Sequence, residues 1–391
     1  MTTIYIMINI LVAYILTIIL NKNGFALTPY TNGIYVGITG VITVVYLILN
    51  AKKIHLRFSK YELIIFLLLL FLFIEGLVIG IINGNPLIYV ISDSLYLLLI
   101  ILIMITIKIS CYLSPFSMEK FSPLTCIIFY IFIIASSILS LNITSIKLLS
   151  VVLLIISLKK NNNMLMLTNI IGIIAVSVFS NRTFLLTLII CLVIYYISLV
   201  LTKRIPLKAI YFIPIIFVLA FTLYQNPTFQ NTPLGKRVDK VVDVFSNENQ
   251  GIRNDISISN RLFESKLVLN NLNENQIFWI TGTGSGSVLN MSLSNDTSVK
   301  HSALLGASEV HNIHLLPMAL LYRYGIIGVI LLAQIIIIII IRLKYSLPLC
   351  LSVICILLFS FMASNYFFSE PLLWISLSLI FNKEIMKSST G

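Results

Sequence analysis

Charged side chains are scarce in this sequence. Asp, Glu, Lys and Arg make up 10% of its 391 residues, whereas an average soluble domain has about 25%. Hydrophobic residues make up 59% of the chain, and a water-soluble fold could not cover so much apolar surface. The shortage of charge therefore excludes an ordinary soluble globular protein.

Cysteine is also scarce, and none lies in the one long polar stretch of the chain. The five cysteines lie in or beside apolar segments: Cys111, Cys126, Cys191, Cys350 and Cys355. An odd number with this placement argues against a disulfide framework and against a thiolate metal cluster.

Long apolar runs dominate what is present. Many approach the roughly 20 residues that cross a bilayer core of about 30 Å, and in lipid such runs must be helical to satisfy their own backbone hydrogen bonds. We therefore predict an all-α polytopic membrane protein with about 12 transmembrane helices and one large periplasmic loop between spans nine and ten. The predicted spans are 4–20, 33–49, 63–82, 86–107, 124–141, 145–158, 164–180, 183–201, 207–224, 312–341, 345–362 and 366–381. The first run has no basic residue before it and no cleavage pattern after it, so we expect a retained span.

The positions of the basic residues predict the topology. With the N-terminus inside, most Lys and Arg residues fall in the even-numbered connections and the C-terminal tail, while the short outer connections hold only Lys22, Lys147 and Arg182. This asymmetry follows the positive-inside rule and predicts that both termini are cytoplasmic. The net charge of +12 is thus explained by topology rather than by nucleic-acid binding.

The long polar stretch, 225–309, falls on the outer side between a nine-span region, 1–224, and a three-span region, 310–391. Loops longer than about 15 residues are usually functional or disordered. Ser259 or Asn260 is predicted to cap a helix in this loop. The run Thr281–Gly286 predicts a flexible turn, because it lacks the spacing of a dinucleotide-binding loop.

Ionisable residues at membrane depth need a partner or a function. Glu75 and Asp93 either form a helix-packing ion pair with a residue such as Arg323 or bind substrate hydroxyl groups. Arg182 lies in a tight outer turn, where it either extends to the interface or binds an anion.

The loop ends in the most polar cluster of the chain, Glu309-Val310-His311-Asn312-Ile313-His314. If this run begins span ten as a helix, His311 and His314 share one face at the membrane surface. No third ligand has recognisable spacing, so we expect no metal. A neutral imidazole that accepts a proton from a hydroxyl group near pH 7 is more natural, and a purely structural histidine is the alternative.

Four short motifs resemble those of the O-antigen polymerase and O-antigen ligase superfamily, membrane glycosyltransferases of bacterial polysaccharide assembly. They lie in the same order and spacing around the outer loop. The motifs are Ser180-Asn181-Arg182-Thr183, Ser259-Asn260-Arg261-Leu262 with Gly282-Thr283-Gly284, His311-Asn312, and Tyr324-Gly325-Ile326-Ile327-Gly328.

The resemblance implies a substrate and a set of roles. The substrate is an oligosaccharide linked to undecaprenyl pyrophosphate at the outer face of the bacterial inner membrane, and no cofactor is needed. Arg182 and Arg261 would bind the pyrophosphate, because a guanidinium group pairs with phosphate oxygens in a bidentate fork. His311 would deprotonate the acceptor hydroxyl and Asn312 would orient it. Arg323 departs from the family, which often has an acidic residue there, and His314 is an added polar group, so the resemblance leaves the acceptor contacts open.

The resemblance leaves two enzymes open. A polymerase transfers the growing chain onto the next lipid-linked repeat unit, and a ligase transfers the finished polymer to lipid A core. The polymerase is favoured because the additional histidine before the His-Asn pair that is typical of ligases is absent. A flippase is the non-enzyme alternative, but it predicts repeated halves and interrupted helices, whereas this chain has one asymmetric outer loop. A chain-length regulator and a flippase are the protein partners that the family implies.

Overall fold

The computed structural model describes the residues in 30–50, 58–113, 163–178, 182–201, 256–290, 309–343 and 347–381, with short pieces at 123–124, 126–128, 130–131, 150, 153, 230–232, 235–236 and 345. This part of the chain is mostly helical, as predicted. Three of its helices, Lys60–Ile82, Leu87–Ser110 and Leu316–Arg342, are long and apolar enough to cross a membrane.

The described elements are eleven helices and two short strands. In chain order they are α1 (Tyr30–Leu49), α2 (Lys60–Ile82), α3 (Leu87–Leu113), α4 (Asn163–Val178), α5 (Arg182–Leu201), α6 (Ile256–Glu274), α7 (Phe278–Thr281), β1 (Leu289–Asn290), β2 (Glu309–Val310), α8 (Leu316–Arg342), α9 (Leu347–Met362), α10 (Asn365–Ser369) and α11 (Pro371–Phe381). Helices thus lie at the predicted spans 33–49, 63–82, 86–107, 164–180, 183–201 and 345–362. The predicted spans 4–20 and 207–224 lie outside the described residues, as do most of 124–141 and most of 145–158.

The chain divides into two compact units. One comprises Met1–Ser117, Ile256–Ser346 and Ser360–Gly391, and the other comprises Met118–Asp255 and Leu347–Phe359. All the contacts of the candidate site belong to the first unit.

Helices α2 and α3 form an antiparallel hairpin. Ser59 starts α2 with a capping box, in which its hydroxyl group accepts from the amide of Glu62 and the Glu62 carboxylate accepts from the amide of Ser59. The same carboxylate binds Lys108 on α3 at 2.9 Å. At the other end the chain turns through Gly84, which has φ 69° and open space where a Cβ atom would stand. The two ends of the hairpin therefore differ: one holds a buried ion pair, and the other is a short polar turn.

The predicted span ten, 312–341, differs from the structure in two respects. Helix α8 begins only at Leu316, with a proline in its first turn, and it breaks at Gly325, where φ is 58° and ψ is −153°. The carbonyl group of Ile280 lies against Gly325, where a Cβ atom would stand. The break therefore makes room for the backbone of Ile280. The last predicted span, 366–381, is likewise interrupted, because Glu370 separates α10 from α11.

Helix α6 of the outer loop begins at Ile256, so Ser259 and Asn260 lie inside it and the predicted cap was wrong. Its apolar face packs on the start of α8 in a shared core that includes Val268, Leu272, Ile313 and Tyr322. The two strands pair antiparallel, with Leu289 opposite Val310. The described part of the loop is thus folded onto the helices rather than free.

Candidate functional site

The glycine-rich run Thr281–Gly286, named the glycine segment, is buried rather than flexible. Residues from Gly282 to Gly286 are all buried. Gly282, Gly284 and Gly286 have φ values of 67°, 86° and 76°, in the left-handed region that glycine adopts without strain. The predicted flexible turn was therefore wrong, because the segment packs among three helices.

Hydrogen bonds fix the glycine segment from both sides. Four consecutive amides donate to acceptors on α2, α3 and α8: Thr283 to the Tyr322 carbonyl at 2.8 Å, Gly284 to the Arg323 carbonyl at 2.9 Å, Ser285 to the Gly76 carbonyl at 2.8 Å, and Gly286 to Oδ2 of Asp93 at 2.8 Å. On the carbonyl side, the Asn85 amide donates to Thr283 and Ser285, both at 2.9 Å. Because α8 breaks at Gly325, the helix carbonyl groups just before the break remain available as acceptors for the amides of this segment.

Close backbone contact between the glycine segment and α2 explains why both carry glycine residues. A Cβ atom on Gly284 would overlap the backbone nitrogen of Gly80, and one on Gly76 would lie 2.6 Å from the Ser285 hydroxyl oxygen. The segment and α2 therefore touch backbone to backbone, and the position of the segment is set by sterics as well as by hydrogen bonds.

The glycine segment positions a buried cluster of Asp93, His311 and Arg323. Oδ1 of Asp93 lies 3.3 Å from Nε2 of His311 and 3.5 Å from Nη1 of Arg323. Nη2 of Arg323 donates to the His311 carbonyl at 2.7 Å. The side chains of Asp93 and Arg323 are each 5% exposed, so the two charges compensate each other with little contact with solvent.

The contacts of His311 define its tautomer. Nδ1 lies 3.1 Å from the Ser287 carbonyl, which can only accept, so Nδ1 carries a hydrogen. Nε2 lies 3.4 Å from Nη2 of Arg323 and 3.3 Å from the Asp93 carboxylate. A neutral imidazole can accept from Arg323, and a protonated one can donate to Asp93. Both protonation states of the ring therefore have a partner at Nε2.

The ring of His311 is also held by stacking. Tyr89 lies parallel to it, with ring centroids 4.3 Å apart and an interplanar angle of 10°. Arg323, the neighbour of His311, is held in turn by Phe368, with its guanidinium carbon 5.7 Å from the ring centroid. The His311 side chain remains 15% exposed. Among the three members of the cluster, His311 is thus the one that a ligand can reach.

His314 belongs to a second contact. Its Nδ1 lies 2.8 Å from Oε1 of Glu264, and its backbone amide donates to Oε2 at 3.0 Å. Ser364 donates from its amide to the His314 carbonyl at 2.9 Å. The prediction that His311 and His314 share a helical face was wrong, because residues 311–315 are not helical. The two histidines bind different acidic residues.

The other predicted site residues are placed as follows. Arg261 lies on α6, one turn before Glu264 and partly buried. Asn312 is exposed, and in the described part of the chain the His311 imidazole contacts Ser287, Asp93 and Arg323 instead. Glu75 is half-buried on α2 beside Gly76, and its Oε2 has no hydrogen-bond partner among the described residues.

Arg182 is the first residue of α5 and belongs to the other compact unit. The described geometry therefore includes its backbone position but does not relate it to His311.

Sequence reasoning missed two contacts of the cluster, the stacking of Tyr89 and the carbonyl of Ser287, and it missed Glu264, the acidic partner of His314. Tyr89 and Ser287 carry no signal of their own in the sequence. Glu264 did carry a signal in the sequence, because it follows Arg261 by three residues and so lies on the same side of a helix.

Among the described residues, no three His, Cys, Asp or Glu side chains come together as a metal site would require. No protein-family model and no curated protein sequence matches this chain.

Proposed function

We propose that the protein is a membrane glycosyltransferase of the O-antigen polymerase type. It transfers a growing glycan from undecaprenyl pyrophosphate onto the next lipid-linked repeat unit, at the periplasmic face of the bacterial inner membrane. The observation that carries the proposal is the His311 ring, which is held between Asp93 and Arg323 and is still accessible. The motif resemblance supplies the substrate class.

The side of the membrane follows from charge. Lys108 pairs with Glu62 at one end of the α2–α3 hairpin, and Arg342 lies in the last turn of α8. The cluster around His311 lies toward the opposite ends of these helices, near the start of α8 and of α3. By the positive-inside rule, the end with Lys108 and Arg342 is cytoplasmic and the His311 end is periplasmic. About 12 spans and two cytoplasmic termini complete this topology.

The reaction uses His311 as general base. The acceptor sugar hydroxyl replaces Nη2 of Arg323 as the donor to Nε2, and Nε2 accepts its proton while the hydroxyl oxygen forms a bond to the anomeric carbon of the donor. The bond between that carbon and the pyrophosphate oxygen breaks, and undecaprenyl pyrophosphate leaves with the electron pair. The imidazolium that forms donates to Asp93, so the charge on the ring is stabilised as it develops.

Arg182 and Arg261 would bind the departing pyrophosphate. Arg323 is unsuited to that task, because its charge is compensated by Asp93 and its side chain is 5% exposed. Arg261 has a supporting position: Glu264, one turn further along α6, ties that helix to the segment that carries His311. Helix α6 and the proposed base, His311, are thus connected through the contact between Glu264 and His314.

The test uses a strain that lacks the chromosomal gene and carries the full chain on a plasmid. Arg182→Ala, Arg261→Ala and His311→Ala should each replace the ladder of long polysaccharide with lipopolysaccharide that carries a single repeat. Lys266→Ala is the matched control on α6, because Lys266 is exposed, and it should keep the ladder. Normal ladders from all three variants at normal expression would refute the site. Accumulated lipid-linked polymer would instead identify a ligase.

A further inference from the structure

The glycine segment lies at a similar distance from one end of each of three helices, α2, α3 and α8. Ser285 binds the Gly76 carbonyl, and Gly76 lies six residues before the end of α2. At a rise of 1.5 Å per residue this is about 9 Å below the helix end. Gly286 binds Asp93, six residues into α3, and Gly284 binds the carbonyl of Arg323, seven residues into α8. These offsets give about 9 and 10 Å.

The hydrogen bonds of the glycine segment are compatible with a position inside the membrane. Non-helical backbone is tolerated within a membrane only where protein groups satisfy it. The amides from Thr283 to Gly286 all have protein acceptors, and the carbonyls of Thr283 and Ser285 accept from Asn85. Protein groups therefore satisfy four consecutive amides and two carbonyls of the segment.

Helix α7, just before the segment, has an exposed apolar surface. Ile277 is 64% exposed, Ile280 61% and Trp279 36%. The Ile280 carbonyl touches Gly325 of α8, and Ile326 and Ile330, which follow it, are exposed on that apolar helix. Helix α7 thus adjoins, at Gly325, a helix that is long enough to cross a membrane and that has exposed apolar residues of its own.

Trp279 has the orientation of an interfacial residue. Its indole Nε1 donates to Asn273 of α6 at 3.2 Å, so its polar edge is directed toward the polar loop. Tryptophan is enriched at membrane interfaces because it has an apolar ring and one polar group.

We infer that residues 277–286 form a re-entrant stretch, and that the α7 face formed by Ile277, Trp279 and Ile280 contacts bilayer lipid. The partner of this surface is the acyl region just below the headgroups, in the leaflet on the His311 side. The inference rests on the depth of the segment and on the contact of the exposed helix α7 with α8, and it holds whether or not the protein is a glycosyltransferase.

Tryptophan fluorescence tests the inference, because the chain has only two tryptophans and the other, Trp374, is fully buried. The full chain is reconstituted in vesicles whose lipids are brominated at a shallow or a deep acyl position. The difference between wild type and Trp279→Phe isolates the Trp279 emission. We expect bromine to remove more than half of that emission, with the shallow position more effective, and aqueous iodide to remove little. Strong quenching by iodide, or quenching by neither agent, would overturn the inference in favour of water or a protein partner.

A thiol pair provides a second test. Ile280→Cys is compared with Asn270→Cys, an exposed position on α6, using an impermeant maleimide on whichever membrane face labels the α6 variant. We expect Ile280→Cys to label at least ten-fold more slowly in the membrane and at a similar rate after denaturation. Equal labelling in the intact membrane would contradict the inference.

Discussion

The carboxylate of Asp93 lies 3.3 Å from Nε2 of His311, although Asp93 belongs to helix α3 and His311 follows the long polar stretch 225–309. The Gly286 amide holds the other carboxylate oxygen at 2.8 Å. The proposed base and its acidic partner are thus positioned through the glycine segment, and each part of that assembly can be tested by substitution.

Asp93 and Arg323 are predicted to be energetically coupled. Asp93→Ala and Arg323→Ala each leave one buried charge uncompensated, which costs about 3 to 5 kcal/mol. The double variant should therefore be destabilised by clearly less than the sum of the single effects. Unfolding midpoints of the three variants in detergent measure the coupling.

The Glu62–Lys108 pair is the control for this double-mutant cycle. Lys108 is more exposed, at 17%, so solvent screens the pair and its coupling should be smaller. Additive effects for Asp93 and Arg323 would show that the two charges do not depend on each other.

Gly284→Ala should disrupt the site far more than Gly84→Ala. Both residues have positive φ, 86° and 69°, so alanine introduces a backbone strain of about 1 to 2 kcal/mol at either position. Only at Gly284 would the added methyl group overlap α2, because Gly84 has open space around it. We expect Gly84→Ala to retain folded protein and polysaccharide ladders and Gly284→Ala to lose both. Equal behaviour would mean that the segment is not packed on α2.

Glu264→Ala should release the loop helix. The change removes the acceptor of the His314 amide and ring nitrogen, at a cost of about 1 to 3 kcal/mol. Amides of α6 should then exchange with deuterium roughly 10- to 100-fold faster. Lys266→Ala on the same helix is the control and should leave exchange unchanged. Unchanged exchange in Glu264→Ala would show that this contact does not fasten the helix.

Topology is tested by thiol labelling in intact spheroplasts. Asn290 and Lys60 are both exposed and lie toward opposite ends of the first unit. An impermeant reagent should label Asn290→Cys directly and Lys60→Cys only after lysis. The reverse pattern would invert the predicted orientation.

The helices were predictable because uninterrupted apolar runs leave few alternatives in a membrane. The pairing of Asp93 with Arg323 was predictable for a related reason, since ionisable groups among apolar residues need partners. Glu75 satisfied the same criterion, yet Arg323 pairs with Asp93 in the structure.

The packing of the glycine segment was not predictable. Alternating glycines indicate positive φ, but the acceptors at Gly76 and Tyr322 lie on helices far away in sequence. The break at Gly325 was missed for the same reason, because a single glycine in an apolar run is usually tolerated in a helix. Long-range backbone contact leaves no local pattern.

The most direct test of the proposed function is transfer by the purified chain in lipid vesicles. Wild type, His311→Ala and Lys266→Ala are supplied with radiolabelled undecaprenyl-pyrophosphate repeat units extracted from a strain lacking the gene, and the lipid-linked products are sized over time. The proposal predicts progressively longer lipid-linked glycans from wild type and Lys266→Ala, and a rate lower by about 100- to 10,000-fold for His311→Ala. Elongation by His311→Ala at the wild-type rate would contradict the role of His311, and no elongation by folded wild type would contradict the polymerase itself.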